Sequence, residues 1–210
     1  TGAKVVFVDS EAEFWQMDIT AAEQKITPRT KAIMAVHLYG HACDMVAIRA
    51  LADKYSLFVV EDCAEAIGTR IDDRLVGTFG DVSSFSFFGN KTITTGEGGM
   101  VVTSNERFAS LGRRLKGQGL AKDREYWHDI VGYNYRMTNI CAAIGCAQME
   151  EISQVLAKKQ QVAAWYREFL ADSPVEMHAV RPGTFHSYWM VSILVEKSTD
   201  RDVLREWLKE

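Results

Sequence analysis

A lysine, an aspartate and a serine fall within residues 59–103, VVEDCAEAIGTRIDDRLVGTFGDVSSFSFFGNKTITTGEGGMVVT. Asp62 closes an apolar run. Ser86 lies in SFSFF, and Lys91 follows it after Gly89-Asn90. The glycine-rich turn TTGEGG comes next and leads back into an apolar run. A lysine between apolar strands and glycines can be partly desolvated. Desolvation favours the neutral amine, the nucleophile that condenses with aldehydes. Taken singly, each residue has a plainer reading. A lone lysine is most often a surface residue, a strand-end acid a cap or ion-pair partner, a strand serine a packing residue, and GEGG only a turn. Together they match the needs of a pyridinium cofactor. Such a cofactor wants an acid at its ring nitrogen, a lysine at its aldehyde, and hydroxyl or N–H donors at its phosphate.

The elements that must position these residues alternate between strand and helix. Val5–Asp9, Lys31–Val36, Leu57–Glu61, Val82–Phe88, Gly99–Thr103 and Trp189–Val195 have strand-like runs. Met45–Tyr55 and Glu106–Lys116 have helical spacing, the second ending before Gly117 and Gly119. From Thr138 to about Asp172 the spacing predicts a long helix, interrupted at Gly145 or Ser153. Asp200–Glu210 reads as a helix capped by Asp200. This alternation predicts an α/β fold, a mainly parallel sheet covered by helices on both faces. Ligands in such folds bind at the carboxyl ends of the strands, where Asp62 falls. Phe85, Phe87 and Phe88 are expected to be mostly core, and Cys63 a small core residue.

Composition narrows the class. The 210 residues are 47% hydrophobic and 25% charged, with a net charge of −4. That balance argues against nucleic acid or an anionic membrane surface as partner. No apolar run is long enough to span a membrane, and no signal peptide is visible. Cys43, Cys63, Cys141 and Cys146 form no C-x-x-C pair and read as reduced, cytoplasmic thiols. No metal site is expected. The chain starts beside a strand-like run without Met and stops inside a helical one, which reads as a fragment.

Four ordered motifs then carry a resemblance: HLYGHACDM (37–45), VVEDCAEA (59–66), VGTFGDVSSFSFFGNKTITTGEGGMVVT (76–103) and VGYNYRMTNICAAIG (131–145). Over nearly its whole length the chain resembles the sugar aminotransferases of the DegT/DnrJ/EryC1/StrS family, fold-type I enzymes dependent on pyridoxal 5'-phosphate. The resemblance implies a large cofactor-binding domain over residues 1–150, lacking its N-terminal portion. Residues 151–210 would be a connecting helix and the start of a smaller C-terminal α+β domain. It implies that Lys91 forms the imine and shuttles the proton, and that Asp62 pairs with the pyridine nitrogen. Ser86 would bind the cofactor phosphate. Asn134 would reach the phosphate of a neighbouring subunit, which implies a homodimer with shared sites. Glu65 stands near the phenolic oxygen, where many members have Gln, and a carboxylate there needs compensation.

Arg136 is a candidate for the substrate diphosphate, with a dimer-interface ion pair as the alternative. His186 is a candidate sugar contact, with a packing histidine as the alternative. His37 is expected to be a buried structural histidine. The implied reaction moves an amino group from glutamate to a nucleotide-linked 4-keto-6-deoxy sugar, for surface polysaccharide (O-antigen) synthesis. The likeness is greatest to members that aminate C4 of a GDP-linked sugar. Other 3- or 4-aminotransferases of the family, and a non-catalytic sugar-nucleotide-binding or regulatory relative, are the alternatives. Family relatives that remove the C3 hydroxyl carry histidine at the Lys91 position, so the lysine argues for transamination. The family's glycine-threonine phosphate turn and ring-stacking aromatic have no counterpart in these residues.

Overall fold

The computed structural model describes residues 1–209. A short helix α1 (Ile19–Gln24) leads to strand β1 (Ala32–Val36), helix α2 (Met45–Tyr55) and strand β2 (Phe58–Asp62). A two-residue hairpin, β3 (Arg70–Ile71) and β4 (Arg74–Leu75), precedes β5 (Val82–Ser86) and β6 (Gly99–Val102). Helices α3 (Glu106–Lys116), α4 (Asn139–Glu150) and α5 (Ile152–Phe169) follow. Strands β7 (Val175–Met177), β8 (Thr184–Phe185) and β9 (Ile193–Val195) and helix α6 (Ser198–Trp207) complete the order.

The main sheet runs β1-β2-β5-β6. The first three strands are parallel, with Val36 opposite Asp62 and Asp62 opposite Ser84. β6 returns antiparallel to β5, with Ser86 opposite Gly99. The carboxyl ends of β2 and β5 are therefore neighbours, which places Asp62 and Ser86 on one edge of the sheet.

Helix α2 forms because Asp44 accepts the Ala47 N–H at its start and Met45, Ile48, Leu51 and Ala52 fall on one buried stripe. That stripe packs on Ile33, Ala35 and Val59, and with Ala22 and Leu57 makes the core. Asn105 caps α3 through the N–H groups of Arg107 and Phe108, and Thr138 caps α4 through Cys141 N–H.

A buried carboxylate ties the sheet to the loop beyond the hairpin. Glu61 accepts from the backbone N–H groups of Gly77, Phe79 and Gly80 at 2.6–2.8 Å. His37 Nδ1 accepts from Cys43 N–H, so its Nε2 carries the proton and donates to Glu61 at 3.1 Å. His37 is thus the structural histidine expected. Burial opposes a charge on Glu61, but the His37 and backbone donors outweigh it and hold its carboxyl below the ordinary range.

Several expectations are corrected. Val5–Asp9 pairs with no strand among the described residues, and Val5, Val6 and Phe7 are exposed. A β-branched run becomes a strand only where an edge accepts it. The sheet is buried on one face: Met34, Val36 and Phe58 alternate outward and are exposed. Phe88 is exposed, because β5 ends at Ser86 and the alternation ends with it. The long helix is two helices broken at Glu151, rather than at Gly145 or Ser153. The late strand is only Ile193–Val195, and the final helix begins at Ser198, with Asp200 in its first turn. No helix of the described residues is long and apolar enough to cross a membrane.

Candidate active site

Lys91 sits on the arch, residues 87–98, that joins β5 to β6. The feet of the arch are tied together, since Phe87 N–H donates to Gly98 O and Thr95 N–H to Phe87 O. Gly98 has φ +148, and a Cβ there would stand 2.7 Å from Thr95 Oγ1 and 2.8 Å from Met137 Cε. The glycine is needed for close approach as well as for the turn.

The lysine side chain is largely covered, at 15% exposure. Its Nζ lies 3.9 Å from Glu65 Oε1 and 4.1 Å from the centroid of the Trp189 ring. Glu65 Oε2 accepts the Tyr39 N–H at 2.7 Å. Glu65 therefore faces the lysine amine with one oxygen and a backbone donor with the other.

Asp62 ends β2 and is partly exposed, its Oδ1 accepting Ala64 N–H at 3.0 Å. Ser86 ends β5, partly exposed, with Phe88 N–H 3.4 Å from its Oγ. Strand register brings Asp62 and Ser86 to the edge from which the Lys91 arch springs.

Asn134 and Arg136 lie on the exposed segment that follows α3, whose Met137 meets Gly98 at the foot of the arch. Asn134 bridges to Gly117 at the end of that helix. Arg136 lines a groove with Arg113, Arg114, Lys116 and Lys122, and Arg114 pairs with Asp129. Among the described residues neither shares a hydrogen bond or ion pair with Lys91.

His186 is 2% exposed and stacks on Tyr188 with ring centroids 3.9 Å apart. Its Nδ1 accepts Tyr188 N–H. It belongs to a buried trio with His41 and His178, whose ring centroids lie 5.2–5.4 Å apart. The packing reading of His186 is the one these contacts support. Burial, followed by the neighbouring histidines, pushes His41 down to about 4 and His186 further still.

Sequence reasoning missed Trp189. The signal lay in HSYWM, where attention went to the histidine. An aromatic two residues beyond a buried pair could have been weighed against Lys91, but nothing in the linear spacing joins the two.

The family model of the DegT/DnrJ/EryC1/StrS aminotransferase family matches residues 1–210. The chain belongs to this family. It is 55% identical over 210 residues to a GDP-perosamine synthase of Escherichia coli O157:H7, covering 100% of this chain and 57% of that protein. It is 50% identical to a GDP-perosamine synthase of Vibrio cholerae, covering 99% and 57%. The chain therefore spans little more than half the length of the curated relatives it matches. Among solved structures it is similar to Helicobacter pylori PseC, an aminotransferase involved in the biosynthesis of pseudoaminic acid. There the TM-score is 0.93 at 28% identity, over 99% of this chain and 57% of that one. It is also similar to S. venezuelae DesV in complex with a ketimine intermediate. The TM-score is 0.89 at 34% identity, over 96% of this chain and 54% of that one. The fold is thus that of the fold-type I pyridoxal-phosphate sugar aminotransferases.

Proposed function

We propose that this chain carries the lysine-bearing part of a nucleotide-sugar aminotransferase that uses pyridoxal 5'-phosphate. The amino group moves from glutamate to a nucleotide-linked 4-keto-6-deoxy sugar, as in the GDP-perosamine synthases it resembles. The observation that carries this is the placement of Lys91, covered and held by Glu65, on the arch beside the edge that bears Asp62 and Ser86. The donor set fits the cofactor: a carboxylate for a protonated ring nitrogen, a primary amine for an aldehyde and a hydroxyl for a phosphate.

When bound, pyridoxal phosphate supplies that aldehyde and a ring that withdraws electrons from the carbon losing its proton. Asp62 would hold the proton on the ring nitrogen. Lys91 would bind the aldehyde carbon and, once free, move a proton at its Nζ. Glu65 would orient Lys91. Ser86 would hold the phosphate, joined there by Asn134 of a second copy, so that the functional unit is a homodimer. Arg136 and the cations beside it would bind the substrate diphosphate. The division into residues 1–150 and 151–210 belongs to the same proposal. The four free cysteines support a cytoplasmic reaction feeding surface polysaccharide synthesis.

The test is an absorbance spectrum of the natural-length protein with pyridoxal phosphate, before and after Lys91→Ala. A band of the lysine adduct, bleached by glutamate and absent in the variant, supports the reading. A folded wild type with no band overturns it in favour of a sugar-nucleotide-binding or regulatory role.

A further inference from the structure

We infer that Trp189 is a positioning residue for Lys91: its indole face and the Glu65 carboxylate form a cradle that receives the Lys91 ammonium when the free amine has taken up a proton. The functional half of the inference rests on the transamination reading above; the geometric half stands without it.

The two walls are built from one turn. Tyr39, with φ +60, gives its N–H to Glu65 Oε2 and its carbonyl to Met190 N–H at 3.4 Å. Beside it, Gly40 O accepts Ser187 N–H at 3.0 Å. The chain on either side of Trp189 is thereby held to the turn that also holds Glu65. The ring itself is fixed by Trp189 Nε1–H donating to Asn90 O at 2.9 Å, so the indole is tied to the residue preceding Lys91. Lys159 Nζ secures the segment from behind, donating to Tyr188 O at 3.2 Å and Trp189 O at 3.4 Å. Lys91 Nζ then rests 4.1 Å from the ring centroid and 3.9 Å from Glu65 Oε1. An aromatic face and a carboxylate both attract a cation, and both do so more strongly when shielded from water.

Amino-group transfer requires such a place. The C–N bond to the incoming amine forms as the bond to the lysine breaks, the incoming nitrogen passes a proton to the lysine nitrogen, and the lysine leaves as a neutral amine; it becomes the ammonium that the cradle holds when it takes the proton from the substrate carbon. The lysine must then stay close, move a proton and return. A free lysine side chain has many rotamers, and a cradle that holds the ammonium on one side of the arch removes most of that freedom. Indole is suited to this because it presents a broad face while its N–H is spent on Asn90 O.

The experiment compares Trp189→Leu and Trp189→Phe in the natural-length protein. In the cofactor-free form, lysines are reductively methylated with a ¹³C label, and the Lys91 resonance is assigned by its loss in Lys91→Ala. The wild-type resonance is expected upfield of the other lysines, through the ring current of the indole. It stays partly shifted in Trp189→Phe and returns to the common position in Trp189→Leu. With cofactor, Trp189→Leu is expected to lower kcat about ten-fold with KM for the amino donor within about three-fold, and Trp189→Phe to recover kcat to within about three-fold of wild type. An unshifted wild-type resonance overturns the inference, and so does wild-type kcat in Trp189→Leu. If Trp189→Leu fails to fold, the wild-type resonance and Trp189→Phe decide alone. A shifted resonance in a wild type that transfers no amino group refutes the transamination reading, and with it the catalytic use of the cradle, but not its geometry.

Discussion

Glu65 joins Tyr39 to Lys91: one carboxylate oxygen accepts the Tyr39 N–H at 2.7 Å, and the other stands 3.9 Å from Lys91 Nζ. The second contact is at the outer limit of an ion pair, whereas the first is a short, charge-assisted hydrogen bond. The two oxygens therefore do different work. One fixes the turn, and the other faces the amine.

That division predicts different outcomes for two substitutions. Glu65→Gln keeps an acceptor for Tyr39 and loses only the ionic contact, so stability should change by less than about 1 kcal/mol. Glu65→Ala leaves the Tyr39 N–H without its partner and should cost about 1–3 kcal/mol. Urea unfolding of the two variants measures both. Equal losses would mean that the Tyr39 bond contributes nothing of its own.

Glu61 is a fully buried polar anchor. It is 0% exposed and satisfies three backbone donors together with His37. Glu61→Ala should destabilise by about 3–5 kcal/mol, because those buried donors are orphaned together. Chemical denaturation gives the number, and a loss under about 1 kcal/mol would show that water replaces the carboxylate without strain.

Acid should act through the buried trio of His41, His178 and His186. All are held below the ordinary 6.5, His41 at about 4, chiefly because burial penalises the charged ring. In the unfolded chain they bind protons below pH 6.5, while in the folded chain they do so only at lower pH, so stability falls as pH falls through that range. Each histidine that stays neutral contributes a slope of up to about 1.4 kcal/mol per pH unit. Glu61 adds to the same trend lower down. Its contribution is complete above 4.5 and is lost as pH falls through its depressed folded value. Melting temperatures should drop between about pH 7 and about pH 5, and drop less in His186→Phe. Identical melting temperatures across that window would contradict the burial of the trio.

Gly40 is the tightest point behind Trp189. Its φ is +96, and a Cβ there would lie 2.6 Å from Ser187 Oγ and 2.9 Å from Trp189 N. Gly40→Ala should cost about 1–3 kcal/mol through backbone strain and overpacking. It should also push the indole off Lys91, which the methyl-lysine resonance would register as a loss of upfield shift. An unmoved resonance would mean that the segment gives way elsewhere.

Local patterns told most about local elements. Met45–Tyr55 was legible from its apolar spacing, and Glu106–Lys116 from its helical spacing and the glycines that follow it. The Asp62, Ser86 and Lys91 order was legible because all three fall in one continuous stretch around two adjoining strands. Val5–Asp9 misled because its apolar character says nothing about whether an edge receives it. The buried trio and the Trp189 contact were invisible for a different reason. His41 meets His178 and His186, and Lys91 meets Trp189, across long chain separations that no period or spacing encodes. The open face of the sheet was likewise unreadable, since Met34, Val36 and Phe58 are as apolar as their buried neighbours.

The antiparallel return of β6 has a consequence for the order in which the molecule assembles. β5 and β6 close over the short arch 87–98, a sequence-local event of the hairpin kind, which takes microseconds in isolated chains. The pairing that sets Asp62 beside β5 must first close the longer span that includes the β3–β4 hairpin and the loop clamped by Glu61. A full-length chain folding from the unfolded state would thus form the arch of its lysine before it set its acid in register. An amine alone captures an aldehyde reversibly; only with Asp62 in register would the capture become productive, so maturation of the sheet and competence for the cofactor are one event seen from two sides.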